Sequence, residues 1–129
     1  MRLALLAVLS AAALALLGGA SAAEEARAPS YCSTTGDLCY GIQKAGAVYN
    51  LRLTLAAKYF SRYRICVKRV GRRVTCKSFP VKKRSGQWGG KVNWWKNFPH
   101  APRRYRVTWL RGKNRIGPAL NFTLPATAS

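Results

Sequence analysis

The chain has 129 residues, of which 23 are Lys or Arg and only 3 are Asp or Glu, for a formal net charge of +20. That length accommodates one domain. So few carboxylates leave almost nothing for acid–base or metal-assisted catalysis, while the one-sided charge points to anionic partners.

The first residues read as a targeting segment, not as fold. Met1-Arg2 supplies a positive charge, Leu3 to Leu17 form a Leu/Ala/Val run broken only by Ser10, and Gly18-Gly19 end it. Ala20-Ser21-Ala22 then matches the small-x-small pattern of a cleavage site, so residues 1–22 are expected to be a signal peptide that is removed on export. The run is short for a membrane span, and no stop-transfer cluster follows it. An Ala/Leu-rich leader suggests a bacterial source, so the acceptor pattern Asn121-Phe122-Thr123 is not read as glycosylated. Residues 23–30 read as a flexible lead, 31–125 as the single domain and 126–129 as a tail.

All four cysteines, Cys32, Cys39, Cys66 and Cys76, fall in the exported part. An even count in a secreted chain predicts two disulfides. Zinc is a poor alternative, because neither pair has close ligand spacing and the lone His100 is distant in sequence. Two of the three acids, Glu24 and Glu25, lie in the lead, so Asp37 is the only carboxylate side chain from Tyr31 onward.

Cys32 to Cys39 is turn-rich. From there strands separated by Gly and Pro are expected, without a convincing helix. Val48 to Leu55 alternates Leu51, Leu53 and Leu55 with Asn50, Arg52 and Thr54, as a half-buried strand does. Tyr63, Ile65 and Val67 alternate with Arg62, Arg64 and Lys68, and Val74 to Phe79 return after Gly71. A hairpin centred on Gly71 sets Cys66 opposite Cys76, within bridging distance, and leaves Cys32–Cys39 as the second pair. The other two connectivities stay open to sequence.

Pro80 to Gly86 carries Lys82, Lys83 and Arg84 as an exposed basic loop. Trp88 to Phe98 reads as a strand with Val92 and Trp94 inward and Lys91, Asn93 and Trp95 outward. In the last hairpin Tyr105, Val107 and Trp109 face inward and Arg104, Arg106 and Thr108 outward. A two-residue turn at Gly112-Lys113 places Trp109 opposite Ile116 and Tyr105 opposite Leu120.

Six or seven short strands predict a small, disulfide-stapled antiparallel β-sandwich. The stretch from Tyr105 through Gly112-Lys113 and Gly117-Pro118 to Leu124 resembles the final hairpin of bacterial secreted immunoglobulin-like domains. The resemblance covers about twenty residues and implies architecture, not function. It departs from antibody-type domains, since no cysteine pair flanks a tryptophan at inter-sheet spacing.

No catalytic constellation is read. Glycoside hydrolysis ordinarily needs two carboxylates, and a triad could be written only from a serine, His100 and Asp37. Asp37 suits a tightening role in the Cys32–Cys39 loop. No metal site or cofactor is expected, and the chain reads as a monomer.

Binding falls to the cations. Strand alternation sets Arg62 with Arg64, and Arg104 with Arg106, about 7 Å apart on one face, near the spacing of successive phosphates. The guanidinium fork holds phosphate, sulfate or carboxylate at two points. Trp95 is the best exposed aromatic for stacking on a sugar or base, or else it covers a lysine stem. Lys82, Lys83 and Arg84 add to the attracting field. The expected function is a secreted, non-catalytic module for an anionic extracellular polymer or cell surface: wall phosphate polymer, acidic polysaccharide or nucleic acid. The alternatives are a cationic membrane-active effector and a sandwich that binds an acidic protein.

Overall fold

Each segment of alternating polar and apolar residues becomes a strand whose apolar parity turns toward a shared interior. The computed structural model describes residues 28–125. The expected signal peptide, most of the lead and the tail beyond residue 125 lie outside them.

In chain order the elements are β1 (Ser30–Cys32), β2 (Leu38–Ala45), β3 (Val48–Leu55), β4 (Arg62–Arg69), β5 (Val74–Pro80), β6 (Lys82–Arg84), β7 (Gln87–Asn93), a single helical turn α1 (Trp94–Asn97), β8 (Arg104–Arg111), β9 (Asn114–Arg115) and β10 (Leu120–Thr123). They form two antiparallel sheets, ordered β1-β2-β3-β7-β6 and β10-β8-β4-β5, with β9 on β8. The fold is all-β and sandwich-like.

From the first sheet Tyr40, Leu51, Leu53 and Leu55 point inward, and from the second Tyr63, Ile65, Val67, Tyr105, Val107 and Trp109 meet them, all buried. The Tyr40 ring stacks on Trp109 at 4.5 Å, and Trp94 meets Tyr105 edge-on at 5.2 Å. Full burial of an aliphatic or aromatic side chain contributes about 1.5–3 kcal/mol. This core therefore outweighs either disulfide.

Ten strands replace the six or seven expected, because three short segments, Ser30–Cys32, Lys82–Arg84 and Asn114–Arg115, pair with neighbouring strands without apolar alternation of their own. Ser30 to Cys32, read as the end of a flexible lead and a turn, pairs with β2. Pro29 extends the contact, its carbonyl accepting from the Ile42 N–H at 3.0 Å. Lys82 to Arg84, read as a loop, is a strand of exposed cations paired with β7. The chain crosses from one sheet to the other at the buried Val81.

The β4–β5 register is the one expected: Cys66 lies opposite Cys76 about Gly71, which has φ 76°. Both disulfides are present, Cys32–Cys39 and Cys66–Cys76, with Cα separations of 4.1 and 4.0 Å. No described cysteine is free.

The C-terminal hairpin departs from expectation half-way. The Ile116 N–H donates to the Trp109 carbonyl at 3.0 Å, as the short turn requires. Beyond it, however, Leu120 lies opposite Val107 and Phe122 opposite Tyr105, a slip of two residues. The Tyr40 hydroxyl donates to the Pro118 carbonyl and anchors the excursion. An even slip preserves parity, so Leu120 still enters the core.

β7 also ends earlier than expected. Asn93 accepts from the Lys96 N–H at 2.9 Å and caps a helical turn, and the Phe98 N–H donates to the Trp94 carbonyl at 2.9 Å. Trp94 is buried and Trp95 exposed, as the parity reading had it, but a helix rather than a strand separates them.

The Cys66–Cys76 bridge closes a loop of sequence separation 10. Replacing both cysteines with alanine should lower unfolding stability by about 2–4 kcal/mol, read by urea denaturation under oxidising conditions. An unchanged midpoint would show that the β4–β5 register holds without the bridge.

Candidate anion-binding surface

Side chains of one parity on β4 and β8 leave the core, and the pairing between the two strands sets their neighbours. Arg62, Arg64 and Lys68 lie on the outer face of β4, and Arg104 and Arg106 on that of β8. Arg64 is half-buried and the other four are exposed. Lys68 lies directly opposite Arg106, and Arg64 opposite Leu110. The two arginine pairs foreseen from sequence thus share one face but occupy its two ends. Arg64 and Arg106 are four register steps apart, about 13 Å along the strands. The neutral row between them holds the Cys66–Cys76 bridge and Thr108. Arg62 is oriented by donating from Nε to Ser78 Oγ at 3.2 Å.

A second cationic group lies on the other sheet, where Arg52 of β3 lies directly opposite Lys91 of β7. Together with Lys82 and Arg84 of β6 these residues border a cleft of about 440 Å³, whose wall includes Phe79, Trp88, Val92 and Tyr63. Two glycines in its wall let neighbouring parts of the protein pack closely. A Cβ at Gly89, which has φ 145°, would collide with the Leu53 carbonyl, and one at Gly90 would collide with the Tyr63 hydroxyl. That hydroxyl is buried and has no hydrogen-bond partner among the described residues. Burial pushes its pKa from 10.0 up to about 12.

The basic run is divided by alternation. Lys82 and Arg84 border the cleft, whereas the Lys83 ammonium sits 5.7 Å over the Trp88 ring, with Lys58 at 5.6 Å from the same ring. Trp95 joins neither group. Its ring stacks on His100 at 3.4 Å between centroids, which occupies one ring face, and the residue stays 42% exposed. Asp37 accepts from the Thr35 hydroxyl at 3.0 Å, and its carbonyl accepts from the Ala56 N–H, so it tightens the β1–β2 turn as expected. Among the described residues no group of three His, Cys, Asp or Glu side chains is placed to hold a metal.

Sequence reading missed Lys68, Arg52 and Lys91 as site residues. Their outward parity was visible, but not which strands become neighbours. The Gly89-Gly90 pair inside a strand was the available signal, since adjacent glycines there mark close approach.

No protein-family model, curated protein or solved structure matches the chain.

The raised Tyr63 value has a definite sign. The folded state holds this proton more tightly than the unfolded chain, so the contribution is whole below about pH 10 and drains away as pH rises through the folded value. The wild type should therefore lose stability relative to Tyr63→Phe between about pH 10 and 12, while lysine titration, common to both, cancels. Parallel urea curves at both pH values would show that the hydroxyl is solvated in the folded state.

Proposed function

We propose that this protein is a secreted, non-catalytic module that binds anionic extracellular polymers through its sheet faces. The observation that carries the reading is a pair of like-charge juxtapositions, Lys68 opposite Arg106 and Arg52 opposite Lys91. Like charges directly opposite one another destabilise a sheet. With Asp37 the only described carboxylate side chain, the protein itself offers little to offset them. A polyanion lying along either sheet face relieves the pair on that face and releases its own counterions.

Export is part of the proposal, and two disulfides are compatible with an oxidising, extracellular setting. So is the immunoglobulin-like assignment, which rests on the Tyr105–Leu124 motif. Phosphate, sulfate and carboxylate polymers all suit guanidinium groups.

One observation favours a second reading, a membrane-active protein. Val70 and Val74, 74% and 51% exposed, flank Gly71, Arg72 and Arg73 at the tip of the β4–β5 hairpin. Such a tip suits an anionic lipid surface. Dye leakage from phosphatidylglycerol vesicles at low protein concentration would favour this reading, and retention on the vesicles without leakage the polymer module.

The direct test is salt-titrated affinity for heparin with Arg62, Arg64, Arg104 and Arg106 all replaced by serine. The fold should persist, since all four lie on the outer face, three of them exposed and Arg64 half-buried, and surface substitutions shift stability by about ±0.5 kcal/mol each. Affinity should fall by orders of magnitude and the salt slope should flatten by up to about 4. An unchanged slope would remove this face from the binding site. Trp95→Ala should leave affinity within about twofold, because the residue belongs to neither cationic group and one face of its ring is stacked on His100.

A further inference from the structure

We infer that the cleft beside Gly89 and Gly90 is a subsite for one anionic sugar unit. This assignment rests on the polyanion reading and gives that reading a specific ligand chemistry.

The volume of about 440 Å³ is far more than an isolated phosphate or sulfate fills, and is within the range of small-ligand pockets. The lining is of two kinds. Arg52, Lys82, Arg84 and Lys91 supply positive charge, and Phe79 and Trp88 supply apolar surface. A sugar ring carrying sulfate, phosphate or carboxylate presents both, with apolar ring faces and charged substituents on one rigid frame.

The wall is tightly packed from behind. Any side chain at Gly90 would collide with Tyr63, so the backbone there stays bare. The Tyr63 hydroxyl, 1% of whose residue surface is exposed, lies against that glycine without a partner. An unpaired buried hydroxyl is costly, and a structure that retains one ordinarily gives it a role. Here it is the polar group in the cleft wall that a sugar hydroxyl or acidic substituent can engage.

Calorimetric titration of the protein in about 0.15 M salt, where exposed charges are screened beyond roughly 8 Å, provides the test. The probes are a sulfated disaccharide, glucose 6-phosphate and glucuronic acid, with inorganic phosphate, adenosine monophosphate and uncharged cellobiose as comparisons. At least one charged sugar should bind with unit stoichiometry and more tightly than phosphate, the mononucleotide or cellobiose. The arm that binds best identifies the acidic substituent. The double variant Lys82→Gln/Arg84→Gln should lose about tenfold or more of that affinity, as removal of charge-assisted contacts does. Tyr63→Phe should bind more weakly while melting no lower than wild type, a combination that loss of structure cannot produce. The four-arginine variant should keep short-probe affinity while binding heparin more weakly than wild type.

If heparin binds but no charged sugar does, or if the double variant binds the sugars as well as wild type, the subsite is refuted and the polymer reading stands. Tighter binding of the mononucleotide than of every sugar also overturns it. If heparin itself is not retained, the polymer reading fails and the subsite falls with it.

Discussion

The structure is organised around positive charge that has almost no internal counter-charge. In the described body a single carboxylate side chain, Asp37, stands against the strand and loop cations, and it is engaged with Thr35. Burying an unpaired ammonium or guanidinium costs several kcal/mol or more, so these side chains stay in contact with water. Strand alternation meets that demand at no cost in burial, because each step that turns an apolar residue inward turns the next outward. Tyr63, Ile65 and Val67 are in the core for the same reason that Arg62, Arg64 and Lys68 are out of it.

Pairing then concentrates what alternation exposes. Once β4 and β8 are neighbours, Lys68 and Arg106 are opposed, and β3 with β7 does the same to Arg52 and Lys91. Each such pair weakens the sheet that holds it. The Cys66–Cys76 bridge sits in the neutral row of the outer face, between the two charged ends.

The parts legible in sequence were those set by local periodicity. Val48 to Leu55 is the strand its alternation predicted, although Asn50, expected on the outer parity, is buried, and one turn at Gly71 sufficed to place Cys66 opposite Cys76. Less legible was whatever depends on a single capping contact or on neighbours. Asn93 converts the expected continuation of β7 into a helical turn through one hydrogen bond to Lys96. The slip before Leu120 needs Tyr40, 78 residues away from Pro118, to hold it. The strands at Ser30 and Lys82 lack apolar alternation and exist because a partner edge is available. At the candidate site, parity correctly placed the arginines outside. It could not show that the two pairs lie at opposite ends of one face, or that one face of the Trp95 ring would stack on His100.

The central claim is that the cations are a destabilising load on the free protein, relieved by a polyanion. The melting temperature as a function of salt, measured with and without heparin, tests it most directly. Without heparin it should rise as sodium chloride goes from about 10 mM to 0.5 M, since the screening length shrinks from roughly 30 Å to a few ångströms. With heparin it should start well above the free protein at low salt, and the two curves should converge as salt competes the polymer away. A melting temperature that ignores salt, together with superimposed curves, would contradict the claim.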